Sequence, residues 1–254
     1  MARIISIVNQ KGGVGKTTTT INLASWLTEL GKRVLIIDID PQGNASSGLG
    51  IDSKNLNKGL YEVLLDNNIK INEVIKSYKP NFHILPSTPD LAGAGIELVE
   101  EENREFKLKE KLKNIDYLYD FILIDNPPSL GLLTINGLTA SEEVLIPVQC
   151  EYYSLEGLSQ LLNTINLIKD NLHPNLGVLG AIMTMYDKRN KLSADVFQEL
   201  YKHFPHKIFR TVIPRSVKLA EAPSHGLPVK DYDFNSSGSR AYRRLAQEVI
   251  LESK

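Results

Sequence analysis

Ile4-Ile5-Ser6-Ile7-Val8-Asn9-Gln10-Lys11-Gly12-Gly13-Val14-Gly15-Lys16-Thr17-Thr18 is the stretch on which the reading of this chain turns. It opens on an apolar, β-branched run of the kind that forms a buried strand. Three glycines within four positions then make a tight loop. Beyond it, residues 17–30 carry Ile21, Ala24, Leu27 and Leu30 at helical spacing, with Gly31 as a stop. A strand, a glycine loop and a helix N-terminus together form a phosphate cradle. Glycines let backbone N–H groups face inward, and the helix end adds partial positive charge. In such a cradle Lys16 reaches the β- and γ-phosphates and the Thr17 hydroxyl binds Mg²⁺. The usual pattern G-x-x-x-x-G-K-[ST] asks for glycine where this chain has Gln10, and a second lysine, Lys11, opens the loop instead.

Two further elements bring carboxylates toward the same place. Residues 32–38 are a second apolar strand, ending in Asp38-Ile39-Asp40-Pro41-Gln42-Gly43-Asn44. Residues 121–125 are another, with Asp125 at the end and Asn126-Pro127-Pro128 stopping it, because proline cannot continue a central ladder. Ligands of open parallel sheets lie beyond the C-terminal ends of the strands. One aspartate at a strand end is an ordinary turn cap; three beside a phosphate loop point to nucleotide chemistry. Asp125 suits a Mg²⁺-bound water, and Asp40 suits the γ-phosphate and the attacking water. Asp38 has a structural alternative, a hydrogen bond to the phosphate loop or to Thr17. Lys11 lies too early in the loop to duplicate Lys16. Its position suits a cation delivered to the phosphates of a facing protomer, as an arginine finger is delivered in trans.

Residues 60–65, 71–78, 91–114, 132–140, 155–168, 192–204 and 239–251 are predicted helical, and residues 82–85, 144–149, 176–185 and 208–213 are predicted strands. The charged run within 91–114 is read as a solvated helical face. Alternation of strand and helix predicts an α/β fold of three layers, a mostly parallel twisted sheet with helices on both faces. At 254 residues, 42% hydrophobic and 23% charged, the chain suits one domain over 1–254. A net charge of −1 excludes an overall basic field, so any DNA contact must come from a local patch. The lone cysteine, Cys150, excludes a disulfide framework and a cysteine-based zinc site, and its setting suggests packing. With neither a signal peptide nor an 18-residue apolar run, a soluble, cytoplasmic protein is expected. With a strand starting near residue 4, no upstream DNA-binding domain is expected.

These residues resemble the deviant-Walker-A ATPases of the ParA/MinD group, and most closely the short ParA proteins called Soj. The resemblance runs over nearly the whole chain. It is carried by 11–18, 38–44 and Asp125-Asn-Pro-Pro-Ser-Leu-Gly131, by Pro147-Val-Gln-Cys-Glu-Tyr-Tyr153 with Leu155-Glu-Gly-Leu158, and by Val212-Ile-Pro-Arg215 through Glu221-Ala-Pro-Ser-His-Gly226. It implies a P-loop fold and a Mg²⁺-dependent ATPase that forms an ATP-dependent sandwich homodimer. Lys11 would be the signature lysine acting across the interface, beside Lys16 and the hydrolytic Asp40. The nucleotide would lie on Lys11, Gly12, Gly13, Val14, Gly15, Lys16, Thr17 and Thr18, with Pro214 and Ser216 bordering the base and Thr17 and Asp125 at the metal. Asn126 and Ser216 depart mildly from the family pattern. Arg189, in Asp187-Lys-Arg-Asn-Lys191, and Lys218 match the surface on which the family holds double-stranded DNA without sequence preference. From the residues alone that loop is as readily a solvated one. The resemblance further implies a ParB-type partner that stimulates hydrolysis, nucleoid association and a role in chromosome or plasmid partition. Two alternatives carry different tests. One is a MinD-like membrane positioning ATPase, against which the C-terminus stands, because Leu245, Val249 and Ile250 look like core packing beside Arg240, Arg243 and Arg244. The other is a nucleotide-dependent metabolic enzyme on the same scaffold.

Overall fold

A computed structural model describes residues 1–151, 154–187 and 189–252, without the side chains of 154–156 and 191–195. Eight strands form one sheet: β1 (Arg3–Ile7), β2 (Val34–Asp38), β3 (Lys76–Lys79), β4 (Phe82–Leu85), β5 (Phe121–Asp125), β6 (Glu143–Gln149), β7 (Gly177–Tyr186) and β8 (Ile208–Pro214). Their spatial order is β3-β4-β2-β5-β1-β6-β7-β8, parallel throughout except for the β3–β4 pair. The α-helices are α1 (Lys16–Glu29), α2 (Asn44–Gly48), α3 (Leu60–Leu65), α4 (Ile71–Val74), α5 (Leu91–Glu97), α6 (Lys107–Leu112), α7 (Leu132–Ala140), α8 (Ser154–Asn171), α9 (Lys191–His203), α10 (Val217–Glu221), α11 (Val229–Tyr232) and α12 (Ser237–Leu251).

Side chains alternate across the pleat and bury both faces of the central strands. Ile5, Ile7, Ile36 and Leu123 pack against α1 and α12 through Leu23, Leu27, Leu245 and Val249. Leu35, Ile37, Ile122 and Ile124 pack on the other face against α3 and α6 through Leu60, Leu64, Leu108 and Leu112. Beyond β1, the other half of that face is closed by α8 and α9, with Leu161, Ile165 and Leu200 on Ile146 and Met183. The three-layer arrangement is thus the one the strand–helix alternation predicts. Cys150 is buried in this last cluster, and burial pushes its thiol up to about 12, as suits a packing residue.

Two stretches differ from their sequence reading. Residues 71–78 are not one helix: α4 ends at Val74, and Lys76–Lys79 turns back along β4 as an antiparallel edge strand. Residues 91–114 are not continuous either, because α5 and α6 are separated by a 3₁₀ turn at Leu98–Glu100 and by irregular chain around Asn103, where φ is +52°. One side chain of α7, Asn136, holds the later pieces. Asn136 Oδ1 accepts from Leu108 N at 3.1 Å, and its Nδ2 donates to Arg104 O at 2.7 Å.

The opposite edge, β8, is closed by a side chain. Glu248 of α12 accepts from the backbone N–H groups of Arg210 and Thr211 at 3.0 and 2.9 Å and from the Thr211 hydroxyl. Edge N–H groups that could template another strand are thereby occupied. Among the described residues, no helix is long and apolar enough to cross a membrane.

Candidate nucleotide site

The glycine loop joins β1 to α1 at the C-terminal edge of the sheet, where the 40s loop and Asp125 also arrive. Gly13 and Gly15 hold φ of +74° and +90°, conformations that a side chain would strain, and Gly15 caps α1. The loop is fastened from outside by Thr184 of β7, whose hydroxyl donates to Val14 O at 2.8 Å. Gly12, Gly13, Gly15, Lys16, Thr17 and Asp40 contribute to a cavity of about 480 Å³ over the start of α1. Lys16 is buried, and its ammonium donates to Lys11 O at 3.2 Å. Burial pulls its pKa down, opposed by the charges of Asp125 and Asp40.

Below the loop, the register sets Asp125 beside Ile7 on one side and beside Asp38 on the other. Asp125 Oδ2 accepts from the Thr17 hydroxyl at 2.7 Å, and Oδ1 from the Thr20 hydroxyl at 3.0 Å. Burial lifts its pKa to about 7, against the pull of those two hydroxyls. Asp38 is as fully buried and does not bond the phosphate loop or Thr17. Its Oδ2 accepts from the N–H and the hydroxyl of Ser46 at 2.8 and 2.7 Å. Burial first, then the Asp125 charge, raise its pKa to about 8. Ser46 in turn accepts from Ser87 N at 3.1 Å, so Asp38 anchors α2 to the end of β4. Asp40 is 6% exposed, faces the cavity, and holds its own loop by accepting from Gln42 N at 2.9 Å.

Thr17, on the cavity wall, and Asp125, buried behind it, are hard oxygen donors beside the glycine loop. Among the described residues, no cluster of three or more His, Cys, Asp or Glu gathers as a metal cage. That donor set fits Mg²⁺, which takes one or two protein oxygens and fills its octahedron with water and phosphate. Pro214 and Ser216 line a neighbouring cavity of about 270 Å³ together with Gly15, Thr18 and Tyr242, where a base and sugar would continue from the phosphates. Met185 lies on both cavities and holds φ at +53°, a strained conformation for methionine. Asn126 donates to Ser6 Oγ, Ile7 O and Ile124 O, and its Oδ1 lies 2.3 Å from where a Cβ on Gly137 would stand.

Lys11 is not among the residues that line the phosphate cavity, and its ammonium pairs with Glu151 at 2.9 Å. Arg189 is exposed and held in a fork by Asp187, with contacts of 3.1 and 2.9 Å, which brings the Asp187 pKa down to about 2. It shares a groove with Arg215, Arg240 and Arg244. Lys218 does not line that groove; it is paired with Glu221 at 2.9 Å over the Tyr232 ring. Tyr152, Tyr153 and Lys188 lie outside the described residues, as does the side chain of Lys191. Sequence reasoning passed over Thr20, Thr184, Met185 and the three groove arginines as site residues. The signal for Thr20 is its spacing of three from Thr17, which puts both hydroxyls on one helix face. Met185 carries no such signal.

This combination defines a P-loop nucleoside triphosphatase whose loop carries an additional lysine. The AAA domain family matches residues 2–178. The chain is 53% identical to the sporulation initiation inhibitor protein Soj of Bacillus subtilis over 249 residues, 98% of each chain. It is 49% identical to the chromosome partitioning protein ParA of Myxococcus xanthus over 251 residues, 98% of this chain and 88% of that one. Its fold superposes on a crystal structure of cobyrinic acid a,c-diamide synthase from Mycobacterium smegmatis with bound ADP and magnesium. There the TM-score is 0.88 at 37% identity, over 98% of this chain and 94% of the other. The chain belongs to the AAA domain family and, within it, to the Soj/ParA group of partitioning ATPases.

Proposed function

We propose that residues 1–254 act as one domain, a Mg²⁺-dependent ATPase that serves chromosome or plasmid partition. ATP draws two copies into a sandwich dimer. The dimer holds double-stranded DNA without sequence preference, and a ParB-type partner stimulates hydrolysis and so releases it. The working place is the nucleoid, in the cytoplasm. The observation that carries this reading is the pair of lysines. Lys16, Thr17 and Asp40 line the phosphate cavity, with Asp125 bonded to Thr17 behind it, whereas Lys11 does not line that cavity and holds a partly exposed ion pair with Glu151, which a second molecule could reach.

Residue roles follow from chemistry. The loop amides of Gly12, Gly13, Val14, Gly15 and Thr18 receive the phosphates, and Lys16 neutralises the β- and γ-oxygens. Thr17 would hold Mg²⁺ directly and Asp125 through water; the bound ion supplies charge neutralisation to the triphosphate. Asp40 orients the attacking water, and Pro214 and Ser216 flank the base. Arg189 and Lys218 contact DNA phosphates. A monomer of net charge −1 binds DNA weakly, and pairing two patches in one dimer raises affinity through effective concentration.

The deciding experiment is DNA binding with ATP, ADP and no nucleotide across a salt series. ATP-selective, salt-sensitive retention of DNA of unrelated sequence supports the reading. Nucleotide-independent binding, or ATP-dependent sedimentation with anionic vesicles instead of DNA, overturns it.

A further inference from the structure

We propose that Glu151 is a restraint on Lys11, holding the lysine on its own protomer until the triphosphate of a second copy competes for it. The inference rests on the reading that Lys11 acts across a dimer. Both ends of the pair are built in. Lys11 N donates to Asn9 Oδ1 at 3.0 Å, and Asn9 Nδ2 donates to Pro147 O at 2.7 Å, which ties the base of the lysine to β6. The ammonium then reaches Glu151 Oε2 at 2.9 Å. The other carboxylate oxygen is engaged as well, accepting from Gln149 Nε2 at 2.7 Å. The carboxylate is therefore aimed at Lys11 from the end of β6, the strand next to β1 in the sheet.

The pair is also open to a competitor. The Lys11 and Glu151 side chains keep 37% and 47% of their surface exposed, so an approaching protomer meets the ammonium without disturbing the core. Delivering Lys11 to the partner's phosphates breaks this ion pair, and a two-fold dimer breaks it twice. An exposed pair contributes little, so the restraint sets a threshold and not a block. Two such pairs amount to about a 2- to 30-fold weakening of dimerisation.

The test measures the dimer dissociation constant by sedimentation, with Mg²⁺ and a non-hydrolysable ATP analogue, for the native chain, Glu151→Gln and Lys11→Ala. Glu151→Gln is expected to dimerise 2- to 30-fold more tightly, with monomer affinity for the analogue unchanged and half-maximal ATPase reached at lower protein concentration. That advantage should shrink at high salt, which screens an exposed pair. If Glu151→Gln dimerises no more tightly than the native chain while Lys11→Ala stays monomeric, the restraint is refuted and the role of Lys11 stands. Native-like dimerisation of Lys11→Ala refutes that role, and the restraint with it.

Discussion

Thr20 Oγ1 stands 3.0 Å from Asp125 Oδ1, one helical turn beyond the Thr17 hydroxyl that takes the other oxygen of the same carboxylate. Two hydroxyls from one face of α1 therefore fix the plane of a buried carboxylate in β5. If Thr17 turns to a metal, Thr20 still orients Asp125. Thr20→Val keeps the shape and removes the hydrogen bond. The expected result is a fall in kcat of about 10-fold, with a several-fold higher Mg²⁺ concentration for half-maximal rate, the usual scale for groups that orient metal-site ligands. Magnesium titration of the ATPase, alongside a thermal melt showing an intact fold, checks it.

Arg189, proposed above to contact DNA, carries a charge that its own neighbour partly cancels, because Asp187 grips the guanidinium through two oxygens. Arg189→Glu should lose DNA binding while ATP-dependent dimerisation persists. Asp187→Asn should tighten DNA binding and steepen the slope of log affinity against log salt by about one per added phosphate contact. A fluorescence-anisotropy salt series reads both, and native retention of Arg189→Glu on DNA at low salt would remove this residue from the surface.

Glu248 closes the edge of the sheet by occupying two backbone N–H groups of β8 and a threonine hydroxyl. Glu248→Ala leaves those donors to water or to another chain. A loss of about 2 kcal/mol is expected, the scale of hydrogen bonds to a charged acceptor. A lower urea midpoint with unchanged slope, together with new high-mass species in light scattering, would confirm both parts of the expectation.

His83 carries a pKa lowered by burial, its Nδ1 sits without a hydrogen-bond partner, and its ring meets Tyr119 edge-on at 5.6 Å. A histidine whose folded pKa lies below its unfolded value binds fewer protons in the native state. Stability is therefore full above the unfolded value, near 6.5, and is lost as the pH falls below it. His83→Phe keeps the edge-on packing and should flatten the decline in melting temperature between pH 7 and 5. An unchanged decline would show that this ring takes up its proton as readily in the folded chain as in the unfolded one.

Much of this architecture was legible because its signals are local. An apolar β-branched run, three glycines and a 3.6-residue period state strand, loop and helix within residues 4–30, and the observed β1 and α1 match them to within a residue or so. The glycine loop, Lys16, Thr17, Asp40 and Asp125 were readable for the same reason, each standing at the end of a recognisable element. The errors fell where local pattern is weak. Residues 76–79 pair as a strand because β4 offers an edge, and nothing in Lys76-Ser77-Tyr78-Lys79 itself demands it. Residues 91–114 break into pieces because α7 supplies side-chain partners to a backbone that leaves the helix.

What the sequence determined by itself was the kind of machine: a parallel sheet with a phosphate loop at its C-terminal edge, since periodicity and turn chemistry act between near neighbours. What the tertiary structure alone decided was which distant groups meet. Asp38 turns to Ser46 and not to the loop, Thr20 reaches Asp125 across 105 residues, and Lys11 finds Glu151 across 140. Those meetings follow from the order in which strands lie side by side, with β1 between β5 and β6. That order is settled by burying all faces of the sheet at once, which no single stretch of chain encodes.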